Sequence, residues 1–163
     1  MEPSTGKILA MVSKPDYDPN NIDSVWEDLS KDEDSALLNR ATQGLYPPGS
    51  TFKVLTALEY IREHPDYEDY SYTCKGTNIE HGVNIHCASG EVHGKVNLAK
   101  SLAYSCNTSF VNIGESLSFS GFHDLCESFL FNQSVPFNFE CSQSKFYLNK
   151  KSDPSEMPQT GLS

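Results

Sequence analysis

The chain has no run of about twenty apolar residues, so no segment of it is built to cross a membrane as a helix. No secretory signal pattern is visible either. Basic residues are scarce: 12 Lys and Arg stand against 22 Asp and Glu, a formal net charge of −10. With no basic patch, nucleic acid and anionic membrane surfaces are excluded as expected partners. Internal repeats and low-complexity segments are absent. What is present suits one domain with a modest core, since 37% of the 163 residues are hydrophobic and Phe, Tyr and Trp total 9, 8 and 1. Acidic residues gather at Glu27 to Asp34 and at Glu63 to Asp69, which read as solvated loops.

The segment Tyr46-Pro-Pro-Gly-Ser50-Thr-Phe-Lys53 places a serine and a lysine three residues apart where a helix begins. The prolines and Gly49 break what precedes, and Ser50 can act as N-cap or first-turn residue. Phe52, Val54, Leu55, Ala57, Leu58 and Ile61 then recur at helical spacing, leaving Glu59, Arg62 and Glu63 for solvent. Residues three apart share a helix face, so Ser50 Oγ and Lys53 Nζ can meet. A serine hydroxyl becomes a good nucleophile when a base takes its proton, and a lysine of lowered pKa can be that base. Taken alone, the pair reads equally well as a helix cap followed by a solvated lysine.

About fifty residues on, Ser105-Cys106-Asn107 follows a helical segment, Val96 to Tyr104. In a short extended loop the side chains at i and i+2 point to one side, so Ser105 can relay a proton while Asn107 holds a peptide-like substrate or the lysine. Asn107 or Thr108 can also cap the apolar helix that follows, and the two roles can coexist. Ser-x-x-Lys followed by Ser-x-Asn is the motif pair of penicillin-binding proteins and serine β-lactamases.

On these residues the chain resembles the transpeptidase domain of class B-type penicillin-binding proteins of Gram-positive bacteria. Glu2-Pro-Ser-Thr-Gly6-Lys-Ile-Leu-Ala10-Met-Val-Ser is similar to the family's early strand, and Pro15 to Asn20 to the loop after it. Asn39-Arg40-Ala41 precedes the nucleophile segment as in the family. His93-Gly94-Lys-Val-Asn-Leu98 leads into Ser101-Leu-Ala-Tyr-Ser105-Cys-Asn107-Thr-Ser-Phe110 in the family's order. The resemblance covers most of residues 2 to 118 and is looser from 119 to 163.

It implies an α+β fold, part of the transpeptidase and serine β-lactamase-like architecture: a helical subdomain with an early strand and a hairpin. All of residues 1–163 are expected to form one partial transpeptidase domain. The family's third motif, Lys-[Ser/Thr]-Gly, is not found: Ser4-Thr5-Gly6 lacks the lysine and Gln159-Thr160-Gly161 has glutamine in its place. The chain is therefore expected to be a fragment of a longer parent, inactive or impaired alone.

The implied activity of that parent is D,D-transpeptidation through a serine acyl-enzyme that also binds penicillin. Ser50 is the nucleophile, Lys53 its base, Ser105 the proton relay and Asn107 the substrate-binding amide, with no cofactor and no metal. Peptidoglycan stem peptides and β-lactams are the implied ligands. The parent is expected to be membrane-anchored on the extracytoplasmic face, within a cell-wall synthesis complex. A β-lactam-sensing receptor domain uses the same motifs, and a non-catalytic structural fragment is the third reading. A β-lactamase fits less well, since nothing marks a residue that would activate a deacylating water.

Five cysteines is an odd number, so at least one has no partner within the chain. Thr77, Ile79, Val83 and Ile85 alternate around a hairpin turning near His81-Gly82, which brings Cys74 and Cys87 together at its base. A disulfide between them is one reading in an oxidising setting. Zinc on Cys74, Cys87 and His81, His86 or His93 is the other, although the spacing matches no recognised zinc pattern. Cys106 is expected to point inward, and Cys126 and Cys141 to pack. His93 is expected to structure the approach to the Ser-x-Asn helix.

The remaining organisation is expected as a strand at 7–13, an irregular acidic connection with some helix at 35–40, and helices at 51–63, 96–104, 108–118 and 121–131. A loop from Pro136 with a short strand at 145–148 completes the reading.

Overall fold

The computed structural model describes residues 1–80 and 82–148. The chain divides into two compact units: residues 1–46 with 134–144, and residues 47–133 with the chain from Lys145.

In the first unit, α1 spans Ile22–Leu29, preceded by a 3-10 turn at Pro19–Asn21 whose N-cap Asp18 accepts from the Asn20 N–H at 2.9 Å. This acidic stretch, expected to be irregular, is helical because Ile22, Val25, Trp26 and Leu29 carry the i, i+3, i+4, i+7 spacing of a helix. The helix expected at 35–40 is replaced by turns, because Ser35 sits at φ +52°, outside the right-handed helical region. Residues 7–13 do not form the expected strand. A strand needs a neighbour to receive its ladder, and none is paired with this run among the described residues. Ser13 instead ties the run to the turn region: its Oγ donates to Leu38 O at 3.1 Å and accepts from Arg40 N–H at 2.9 Å. Ser142 closes the unit, donating from N to Thr42 O and from Oγ to Gln43 O, each at 2.9 Å.

The second unit is built around α2, Lys53–Glu63, which follows a 3-10 turn at Gly49–Phe52. Four short strands come next. β1 (Tyr72–Cys74) pairs antiparallel with β4 (Gly94–Val96), and β2 (Thr77–Glu80) with β3 (Val83–His86). The β2–β3 hairpin is the expected one, with Thr77 opposite His86 and Glu80 opposite Val83, and Gly82 in its turn at φ +78°. His81 lies outside the described residues. The β1–β4 pair was not foreseen: Val96 opens no helix but faces Tyr72 in a strand.

Three α-helices follow among the described residues: α3 (Leu98–Ala103), α4 (Asn107–Glu115) and α5 (Phe119–Ser128). α3 is capped by Asn97, whose side chain accepts from the Lys100 N–H at 2.9 Å. α5 is capped by Ser118, accepting from the Gly121 N–H at 3.1 Å.

α2 packs against both α4 and α5, so it is buried on more than one face. Phe52, Phe122, Phe131 and Phe146 form one aromatic cluster, with Phe52 centroids 5.8 Å from Phe122 and 5.9 Å from Phe146. Ala57, Leu98, Phe110 and Ile113 form the second core. This two-sided burial overturns the expectation that Glu59 faces solvent: its side chain is 1% exposed, while Val54 is left 56% exposed. Glu59 is held by Arg62 Nη1 at 2.9 Å, and Gly121 makes room for it, since a Cβ there would meet Glu59 Oε1 at 2.4 Å. Glu63 also lies at this helix start, accepting from Ser118 N–H at 2.9 Å. Two carboxylates thus sit where the helix dipole of α5 favours negative charge.

The strand expected at 145–148 does not form, although Phe146 and Leu148 are buried and Tyr147 exposed in period two. Asn132 takes the place of a partner strand, donating Nδ2 to Phe146 O at 2.8 Å and accepting from Phe146 N–H at 2.9 Å. Gln159-Thr160-Gly161 lies outside the described residues.

Candidate active site

Ser50 lies in the 3-10 turn Gly49–Phe52, the first-turn place that was one of the two expected of it, and the N-cap is Pro48. Phe52 anchors this turn in the aromatic core while Ser50 stays exposed, so one residue buries the turn and another presents its hydroxyl. One residue on, Lys53 begins α2 with its side chain turned inward and 1% of the residue exposed.

The expected set converges. Lys53 Nζ lies 3.3 Å from Ser50 Oγ, 2.9 Å from Ser105 Oγ, 2.9 Å from the Ser105 carbonyl and 2.5 Å from Asn107 Oδ1. Ser105 Oγ donates to Ser50 Oγ at 2.9 Å, so the three side chains close a ring of contacts. Ser105 reaches this position at φ +51°, a left-handed conformation that a non-glycine residue adopts at a cost of about 1–3 kcal/mol. Both its carbonyl and its hydroxyl face the amine as a result. Asn107 is the first residue of α4, and its Nδ2 donates to the His86 carbonyl at 2.7 Å.

Burial lowers the pKa of Lys53 from its usual 10.5, while the nearby Cys106 and Cys87 sulfurs act in the opposite direction. The Nζ also stands 5.7 Å from the Phe110 ring centroid. The donor count shows what a neutral amine does here. The Ser105 carbonyl and Asn107 Oδ1 can only accept, so they take the two N–H groups. The remaining lone pair of the neutral amine can then accept from Ser50, whose Oγ in turn accepts from Ser105. A lysine so held is oriented to receive a serine proton.

Two contributors escaped the sequence. The His86 carbonyl orients Asn107, and a backbone oxygen carries no residue-type signal. Phe110, under Lys53, looked like any apolar helix residue.

Behind the Ser-x-Asn turn, Cys106 points inward as expected, fully buried beside Cys74 and Cys87. The sulfurs of Cys74 and Cys87, the pair considered for a disulfide, lie 3.7 Å apart as thiols in this structure. The hairpin does bring them into contact. Cys126 packs in the core, whereas Cys141 is only half-buried. His93 stacks on Tyr104 at 5.5 Å, the residue before Ser105.

An α+β arrangement gathers a serine, a lysine, a second serine and an asparagine at one helix start, the residue types that a serine acyl transfer uses. The family model for the penicillin binding protein transpeptidase domain matches residues 1–159, and the chain belongs to that family. Peptidoglycan D,D-transpeptidase PbpA of Mycolicibacterium smegmatis is 40% identical over 131 residues, covering 71% of this chain and 26% of that protein. Penicillin-binding protein A from M. tuberculosis, solved as a penicillin G acyl-enzyme complex, superposes with a TM-score of 0.85 at 29% identity, covering 99% of this chain and 40% of that one. Pseudomonas aeruginosa PBP2 in complex with WCK 5153 also gives 0.85, at 27% identity, covering 98% and 40%. The chain thus spans about a quarter of the length of its PbpA relative.

Proposed function

We propose that the chain is the nucleophile-bearing part of a peptidoglycan D,D-transpeptidase, all of it within one transpeptidase domain. Ser50 is the nucleophile. Lys53 accepts its proton as Oγ attacks the carbonyl between two terminal D-alanines of a stem peptide, and an acyl-enzyme ester forms. Ser105, in contact with both, passes that proton to the departing D-alanine amine. Asn107 spends its oxygen on Lys53 and one N–H on His86, which leaves its second N–H for a substrate carbonyl. The amine of a second stem peptide then attacks the ester and releases Ser50. A β-lactam enters by the same first step and leaves Ser50 acylated. Dividing the reaction at a covalent ester replaces one high barrier with two lower ones.

The observation that carries this reading is the contact of a buried Lys53 with Ser50, Ser105 and Asn107 at once. The names of the relatives agree with it, and the acyl-enzyme complex of one of them matches the chemistry proposed for Ser50. Such an enzyme works at the extracytoplasmic face of the cell membrane, as part of a membrane-anchored cell-wall synthesis complex. Covalent labelling by a fluorescent penicillin tests it in the protein that contains this chain. Ser50→Ala should abolish labelling and Lys53→Ala should reduce it severely; undiminished labelling of Ser50→Ala would remove the assignment.

A further inference from the structure

Three thiols and one imidazole meet at a single point behind the Ser-x-Asn turn. Cys74 Sγ lies 3.7 Å from Cys87 Sγ and 3.4 Å from His93 Nδ1, and Cys87 Sγ lies 3.8 Å from Cys106 Sγ. All four ligand atoms fall within 4.8 Å of one another. The cysteines are 0–2% exposed and the His93 side chain 6%.

A tetrahedral zinc ion binds thiolate at about 2.3 Å and imidazole at about 2.0–2.1 Å, which sets sulfur–sulfur edges near 3.75 Å and sulfur–nitrogen edges near 3.55 Å. The three contacts above lie within about 0.2 Å of those edges, and the other three edges stay under 4.8 Å. A disulfide would demand about 2.05 Å between one pair of sulfurs and would leave the third sulfur and the imidazole without a purpose. Here no pair is singled out.

We propose that Cys74, Cys87, His93 and Cys106 form a closed structural zinc site. Zn²⁺ displaces three thiol protons to solvent and takes Nδ1 of a neutral imidazole as its fourth ligand. Four protein ligands leave no position for water, so the ion braces the fold and takes no part in acyl transfer.

The surroundings match a ligand set oriented from outside. His93 Nε2 faces Glu91 Oε2 at 3.7 Å, longer than a hydrogen bond but on the side from which a carboxylate orients a metal-binding imidazole. The Gly76 N–H points at Cys74 Sγ at 3.3 Å, and Gly76, at φ +82°, has no room for a Cβ, which would meet Gly90 O at 2.5 Å. Thiolate accepts such a hydrogen bond well.

Linear spacing hid the site. Its ligands come from the end of β1, the residue after β3, the loop before β4 and the middle of Ser105-Cys106-Asn107. The ion therefore ties the hairpin to the turn that carries two site residues. Ser105, held at φ +51°, is adjacent to one ligand.

Elemental analysis of the purified protein containing this chain, prepared without chelator, should give one zinc per chain. That number should be unchanged in Cys141→Ser and fall to background in Cys74→Ser/Cys87→Ser and in His93→Ala. Because these variants can fail to fold, cobalt is the second measurement. Co²⁺ added to demetallated wild-type protein should produce thiolate charge transfer and the visible bands of a tetrahedral site, and added zinc should erase them. Metal-free wild-type protein carrying a Cys74–Cys87 disulfide would overturn the proposal, as would iron in place of zinc or zinc retained in the double variant. Metal content is read without any assay of Ser50, so its failure and a failure of the transpeptidase reading are distinguishable.

Discussion

The behaviour of Lys53 follows from what surrounds one nitrogen. Two obligate acceptors hold its N–H groups, and the aromatic face of Phe110 closes the side away from solvent. Burial disfavours its cation, so the amine is neutral at a lower pH than a solvated lysine. If Lys53 is the base, acylation by penicillin should rise with pH as the ammonium loses its proton, and should level off below the ordinary pKa of 10.5. A rate–pH profile checks this, and a profile flat across the range below that value would exclude Lys53 as the titrating base. Lys53→Arg should remove the rising limb, because guanidinium stays protonated throughout. Phe52 tests the mechanical half of the site. Its ring fixes the turn between Ser50 and Lys53, and Phe52→Ala should cost about 3–5 kcal/mol of stability. Urea unfolding followed by tryptophan fluorescence and circular dichroism would measure the loss. A change under about 1 kcal/mol would mean that the turn is held by something other than this core.

At the scale of elements, the sequence was most legible where local chemistry and packing agree. The Pro-Pro-Gly break before Ser50 and the alternation of Thr77, Ile79, Val83 and Ile85 both placed elements within a few residues. It was least legible where tertiary contacts decide. Residues 7–13 carry a strand's composition without a strand beside them, and Phe146 and Leu148 alternate as in a strand while a single asparagine supplies the pairing. Glu59 is the sharpest case, because helical spacing gave it to solvent and the α2–α5 contact buried it. The contact among Ser50, Lys53, Ser105 and Asn107 was legible because their motifs are short and local, whereas the fourfold thiol–imidazole cluster is assembled from four separate segments. Glu59 also yields a prediction. Burial raises its carboxyl pKa from 4.5, Arg62 works against that and Glu63 adds to it. A carboxyl whose folded pKa exceeds its unfolded value binds a proton more readily in the folded state. Wild-type stability relative to Glu59→Gln should therefore increase as pH falls through the raised value, and level off below the unfolded one. Urea midpoints of both proteins across that range decide it; a difference that does not move with pH, or moves the other way, refutes the buried-carboxylate account.

Over the whole molecule, the chemistry asks for more than residues 1–163 offer. Acyl transfer through Ser50 needs two donors for the tetrahedral oxyanion, a cation for the substrate carboxylate and a strand edge to align the scissile peptide. The Ser50 N–H, at the start of a helix, is placed to be one donor. The family resemblance implies that the rest comes from a segment around Lys-[Ser/Thr]-Gly, and no such tripeptide occurs in this sequence. The net charge of −10 does not replace it, since an acidic surface repels a carboxylate-bearing ligand. Removing one oxyanion donor typically lowers the rate by about 10²–10³-fold, and lost alignment lowers it further. Residues 1–163 by themselves should therefore acylate at least about 10²–10³-fold more slowly than a full-length relative such as the M. smegmatis transpeptidase, although Ser50, Lys53, Ser105 and Asn107 are in contact. Intact-mass spectrometry after incubation with excess benzylpenicillin gives the rate and the stoichiometry. Slow, substoichiometric addition at Ser50 is the expected result. Rapid stoichiometric acylation would show that the four contacting residues and one helix start are enough for the first chemical step.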